Sequence, residues 1–199
     1  LRTKRPLTTE LGLRLPVTAE LTVLAAIIGS VPALILGVAA AMRRNTRFDW
    51  MTTGFTMIGI SVPNFLLATV LVLIFSFKLR WLPPVGYTPF TEDPVENLKT
   101  MILPAVSLAM PFMAILMRFT RSSVLEVVGQ EYVRVARAKG LPQHRVLLRH
   151  ILPNAGIPIL TIAGIQVAAL LGGTVIVEQI FGLPGVGRYI YEAISNRDY

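Results

Sequence analysis

Four uninterrupted apolar blocks, residues 17–42, 53–77, 101–117 and 155–177, constrain this chain more than anything else in its sequence. Each approaches the roughly 17–25 residues that an α-helix needs to cross a hydrocarbon core about 30 Å thick. The apolar residues within a block run on without the one-sided spacing of a helix lying on a soluble core. With 53% of 199 residues hydrophobic and 15% charged, a water-soluble domain of this size could not hide so much apolar surface. The expected fold is therefore all-α: a polytopic transmembrane helix bundle, one domain over residues 1–199, with about four spans visible. The chain opens on Leu1 and closes on Tyr199, and further spans are expected beyond both ends.

Charge then suggests a topology. The connections after the first and third blocks are basic, carrying Arg43, Arg44 and Arg47, then Arg118, Arg121, Arg134, Arg137, Lys139, Arg145 and Arg149. Basic connections stay on the cytoplasmic side, which places a long loop, about 118–153, in the cytoplasm of a multi-pass inner-membrane protein. The other connection, with Lys78, Arg80 and Lys99 against Glu92, Asp93 and Glu96, is balanced and falls on the opposite face. Arg2, Lys4, Arg5 and Arg14 run against this pattern unless they belong to a longer external segment. Trp50 and Trp81 bracket the second block as interfacial anchors would. The net charge of +8 is accounted for by these connections, and no recognition helix or stacking platform accompanies it, so nucleic acid is not an expected partner.

Several chemistries are excluded by what the chain lacks. It has no cysteine and only His144 and His150, both in the long loop, so thiol catalysis and a histidine metal cage fall away. Ser30, Ser61 and Ser107 lie in apolar blocks with no histidine at that depth, and no two carboxylates share the apolar interior. An intramembrane enzyme is thus not expected. No Gly-x-x-x-x-Gly-Lys-Ser/Thr loop is present to cradle a nucleotide.

The long loop is the most informative stretch. Strong helix formers fill 132–139, Gly140 suits the left-handed position that ends a helix, and Pro142 suits the first turn of another running toward His150. In that second helix Val146, Leu147 and Ile151 form an apolar face and Arg145 and Arg149 a basic one. Such a helix can lie on anionic headgroups or insert as a knob into a cytoplasmic partner, and the residues alone leave both open.

The spacing of Val135-Ala136, Gly140 and Leu152-Pro153 resembles the signature loop of ABC importer permeases. The surrounding Arg121-Ser-Ser, Glu131-Tyr-Val-Arg, Ala136-Arg-Ala-Lys-Gly-Leu, Ser61-Val-Pro-Asn-Phe and the run from Val177-Glu-Gln-Ile-Phe to Gly187 resemble its dipeptide/oligopeptide branch. Two positions depart from the general signature: Arg134 stands where it opens with Glu, and His150 where it carries an aliphatic residue. The resemblance implies a permease of the MetI-like type whose loop docks on an ATPase through Arg134, Val135, Ala136, Arg137, Gly140, Leu141, Pro142, Arg145, Arg149 and Pro153. It also implies a second, homologous permease, two cytoplasmic ATPase domains that bind the ATP and magnesium, and an external solute-binding protein, this chain holding no cofactor in its lipid bilayer. Asn64, Glu178 and Gly185 are the candidates for the translocation path or external gate, although Glu178 can equally be solvated at the boundary and Asn64 can simply bond a neighbouring helix. Peptides are the implied substrate, with nickel chelates, glutathione or another small solute carried by similar machines. A passive channel or scaffold is the alternative of a different class.

Overall fold

The computed structural model describes residues 7–196, and all regular structure among them is helical. Helix α1 (Leu7–Met42) is followed by α2 (Arg47–Ser61) and α3 (Asn64–Leu71), which runs on through a π-helical stretch, Val72–Lys78. Next come α4 (Pro94–Val128) and α5 (Glu131–Ala138). The last elements are α6 (Gln143–Val146), a π-helical stretch Leu147–Ile151, α7 (Leu152–Phe181) and α8 (Val186–Ser195). Three helical runs, Thr8–Met42, Pro94–Val128 and Gln143–Phe181, are long and apolar enough to cross a membrane, and the bent pair α2 and α3 makes a fourth if counted as one broken span.

These bounds correct the sequence reading in four places. The first helix begins ten residues before the apolar block, so Arg14 sits on α1, where its guanidinium bonds Glu10 one turn earlier (3.3 Å) and stacks on Tyr189 (4.7 Å). Arg2, Lys4 and Arg5 lie outside the described residues. The second block is interrupted at Val62-Pro63, because proline can donate no N–H and its ring excludes the preceding residue from helical geometry. The third helix continues through Val128, so residues 118–128 of the expected loop are helical. Finally, the short helix after Pro142 is not separate: it runs through the π-helical stretch into the last span as one continuous helix of 39 residues.

The chain divides into two compact units, to both of which α1, α4 and α7 contribute. In the first (7–28, 62–110 and 167–196), α1 turns Val17, Leu21 and Ala25 inward at a four-residue spacing, and Thr18 and Thr22 beside them are buried too. Met101, Leu108, Val177 and Phe181 complete that core. In the second unit (29–61 and 111–166), Ala33, Gly37 and Ala40 make a small-residue stripe on α1. A Cβ at Gly37 would lie 2.8 Å from the Met117 carbonyl oxygen and 2.8 Å from Thr120 Cβ, so glycine is what lets α1 and α4 touch there. Close approach of this kind replaces the hydrophobic drive that lipid cannot supply.

Candidate functional site

The coupling residues predicted from sequence all fall in the second unit, on α5, the turn after it and the start of the continuous α6–α7 helix. Helix α5 ends in a Schellman motif: Gly140 N–H donates to the Arg137 carbonyl (2.9 Å) and Leu141 N–H reaches the Ala136 carbonyl (3.4 Å). Gly140 takes φ +78°, a conformation that costs a residue with a Cβ about 1–2 kcal/mol. Pro142 then sets an extended residue from which Arg145 and Val146 N–H return to its carbonyl, starting α6.

This geometry sorts the signature residues. Arg134, Val135, Arg137, Gly140, Pro142, Arg145, Arg149 and Pro153 are exposed, and Leu141 is half-buried. Ala136, with Val133, turns inward and is buried within its own unit. Val146 and Ile151 are likewise fully buried in the chain itself, while Leu147, the third residue of the second helix's apolar face, is half-buried. Arg145 and Arg149 project from the opposite side. What remains outward is a short ridge on α5, the Gly140 turn and the start of the α6–α7 helix, with Arg134, Arg137, Arg145 and Arg149 supplying its charge.

The base of the same unit is braced by an ion pair that spacing did not reveal. Arg121 on α4 forks onto Asp49 in the first turn of α2, with Nε donating to Oδ1 and Nη2 to Oδ2 (2.8 Å). Asp49 is buried and also accepts the N–H of Asn45 (3.0 Å), a residue at φ +64° that turns the chain between α1 and α2. A bidentate guanidinium–carboxylate pair fixes orientation as well as distance. The sequence signal was available in Arg121-Ser-Ser, but its partner 72 positions away was not.

The gate candidates lie in the first unit. Glu178 is not solvated there: it is fully buried. One oxygen accepts the Thr18 hydroxyl of α1 (2.7 Å), and the other accepts the Arg188 N–H in the first turn of α8 (2.8 Å). Thr18 in turn accepts the Val186 N–H (2.9 Å), so a threonine and a glutamate from two other helices cap α8 in place of a local side chain. The Glu178 carbonyl accepts Leu183 N–H (2.9 Å) across Gly182 at φ +66°, closing α7. Gly185 belongs to this cluster, since a Cβ there would collide with the Glu178 carboxyl group, and one at Gly187 would lie 2.7 Å from Val175 Cα. Asn64 opens α3 elsewhere in the unit, its amide nitrogen beside Gly173 of α7.

A second carboxylate of α1 was missed altogether. Glu20 accepts the Tyr87 hydroxyl (2.9 Å), and burial, reinforced by Glu20 and then Glu92, pushes the Tyr87 phenol up to about 12. Among the described residues no group of three or more His, Cys, Asp or Glu is placed to hold a metal.

Residues 33–199 match the model of the binding-protein-dependent transport system inner membrane component family. The chain belongs to that family. It is similar to the dipeptide transport system permease protein DppB of Bacillus subtilis, 42% identical over 184 residues that cover 92% of this chain and 57% of the relative. DppB of Alkalihalophilus pseudofirmus is 39% identical over 220 aligned residues (100% and 66%), and the oligopeptide transport system permease protein OppB of Salmonella typhimurium 39% over 184 (92% and 58%). The chain spans about three-fifths of the length of the curated relatives it matches. Its fold is shared with the crystal structure of an amino acid ABC transporter with histidines, at a TM-score of 0.68 and 20% identity, covering 96% of this chain and 82% of that one. The helical membrane architecture is therefore that of an ABC-transporter permease.

Proposed function

We propose that this chain is the membrane-spanning permease subunit of an ATP-driven importer of di- and oligopeptides. In this reading it forms the path with a second, homologous permease. Two ATPase domains bind and hydrolyse ATP with magnesium, and an external binding protein delivers the peptide. The subunit itself catalyses no bond cleavage and holds no cofactor. Peptides as the cargo rest on the names carried by the DppB and OppB relatives.

The observation that carries the reading is the continuity of the docking ridge with a span. A push delivered at Arg145 or Arg149 acts on the first turns of a 39-residue helix, because Val146 and Ile151 clamp that end in the unit. Gly140 and Pro142 fix where the ridge starts. A flexible basic loop would dissipate the same displacement.

Replacing Gly140 tests this. Its Cβ would meet nothing within 4 Å, so a substitution strains the backbone without crowding. Gly140→Val should abolish ATP-driven uptake of a labelled dipeptide by the reconstituted complex, while Gly140→Asn, which tolerates positive φ, keeps most of it. Equal uptake by both variants and the parent would remove the coupling role. A cysteine at the exposed Gln143 should react only with reagents on the cytoplasmic side, and labelling from outside would invert the topology.

A further inference from the structure

The second unit contains a cavity of about 720 Å³ that transport does not explain. Leu34, Ile35 and Val38 of α1 and Leu152, Ile159 and Leu160 of α7 make its walls. Two polar side chains join them, and they sit differently from the rest. Arg43 stands at the end of α1, one residue past the last apolar position of the helix, stacked on Phe48 at 5.6 Å. Thr120 of α4 is fully buried, packs its methyl against Gly37, and its hydroxyl has no hydrogen-bond partner.

The cavity meets no open hydroxyl at Thr120, whose side chain is closed off within its own unit. It asks for an anion at Arg43, and for hydrocarbon along everything else. From Leu34 to Arg43 the groove follows α1 for nine residues, or about 14 Å at 1.5 Å per residue. That is close to the thickness of one leaflet, about half of a 30 Å core. The volume falls within the roughly 300–1,000 Å³ of small-molecule sites. Leu34, Ile35 and Leu160 are exposed, which leaves the groove accessible from the side. A neighbouring cavity of about 310 Å³ shares Met42 and adds Arg44 and Arg137, widening the positive end.

We propose that this groove binds one anionic phospholipid. Its phosphate sits against Arg43 with Arg44 and Arg137 behind, and one acyl chain lies along α1 and α7. A protein helix would fill the apolar walls equally well but would bring no anion to Arg43 at the depth where the helix leaves hydrocarbon, whereas basic pockets between membrane helices suit lipid headgroups. Because Leu147 also lines the groove, the lipid touches the helix that carries the docking ridge. The inference stands independently of what the transporter carries.

The test uses the full-length protein, purified with its native partners and placed in phosphatidylcholine vesicles containing a trace of photoactivatable phosphatidylglycerol. Crosslinks should concentrate on 34–43 and 147–160, and unlabelled phosphatidylglycerol should compete about five-fold better than phosphatidylcholine, the preference expected from one arginine near the surface. Arg43→Gln should erase that preference. Gly156→Phe should empty the groove of crosslinks, since a Cβ at Gly156 points into open space within it. If Gly156→Phe does not assemble, Arg43→Gln decides alone. Crosslinks spread evenly over other exposed residues such as Ile58 and Ile165, or an undiminished preference in Arg43→Gln, would overturn the site. So would capture of the second permease, in place of lipid, by a photoreactive residue at Leu160.

Discussion

Glu178 offers the sharpest test of how this chain is held together. Truncation to alanine strands two donors that it satisfies, the Thr18 hydroxyl and the Arg188 N–H, and leaves a void against Gly185 and Gly187. At about 1–3 kcal/mol for each stranded buried donor, the loss is roughly 4 kcal/mol. At about 2–4 °C per kcal/mol for a chain of this size, the unfolding midpoint in detergent should fall by about 8–16 °C. Glu178→Gln behaves differently. Its carbonyl can still accept the Arg188 N–H, and its amide can donate to Thr18 Oγ, which keeps a lone pair free while accepting Val186 N–H. The charge at the α8 N-terminus is lost, about 1 kcal/mol or less, and so is the acceptor of the Thr18 hydroxyl hydrogen, about 1 kcal/mol more. The expected order is therefore parent, then glutamine a few degrees below, then alanine far below. A glutamine variant as unstable as alanine, or an alanine variant within a degree of the parent, would refute the capping network as drawn.

Two further outcomes follow from the same geometry. Asp49→Ala and Arg121→Ala should each destabilise the protein by about 3 kcal/mol, the lower end for breaking a buried pair because Arg121 is 29% exposed, and the double variant should cost little more than either single one; strict additivity in that cycle would mean that the fork contributes nothing. Tyr87 should ionise near 12 by tyrosinate absorbance, and because the folded state holds that proton more tightly than an ordinary phenol, the stability it lends is complete below about pH 10 and lost as pH climbs toward 12. Tyr87→Phe should remove that alkaline decline, and a decline unchanged in the variant would place its origin elsewhere.

Much of the architecture was legible because lipid leaves few alternatives to helices. Among the described residues the apolar blocks located the three long candidate spans and the bent pair α2 and α3, and the Gly140–Pro142 punctuation located the ridge, since positive φ and a missing N–H are properties of single residues. Hydropathy failed at the ends of helices. Polar residues such as Glu10, Arg14 and Arg121 lie on α1 and α4 beyond their blocks, paired with neighbours, and a composition window reads them as loop. The continuity of α6 with α7 was not legible, because the polar residues 143–145, 149 and 150 precede the apolar block that starts at 155. The pairs Asp49–Arg121, Glu20–Tyr87 and Thr18–Glu178 were invisible for another reason: they join residues 67 to 160 positions apart, and a single sequence carries no record of which distant side chains meet. Glu178 therefore read as a boundary carboxylate, when it is a buried cap.

If the exposed ridge of 134–153 transmits work from an ATPase, reversing its charge should detach that partner. Tagged full-length protein should be purified from its native membrane, its companions identified and the ATPase activity of the complex measured, with and without Arg145→Glu and Arg149→Glu together. The account predicts recovery of a second permease and an ATPase that hydrolyses ATP, and loss of the ATPase from the double variant while the permease pair survives. A homo-oligomer with no ATPase, or an ATPase retained equally by the double variant, would contradict it.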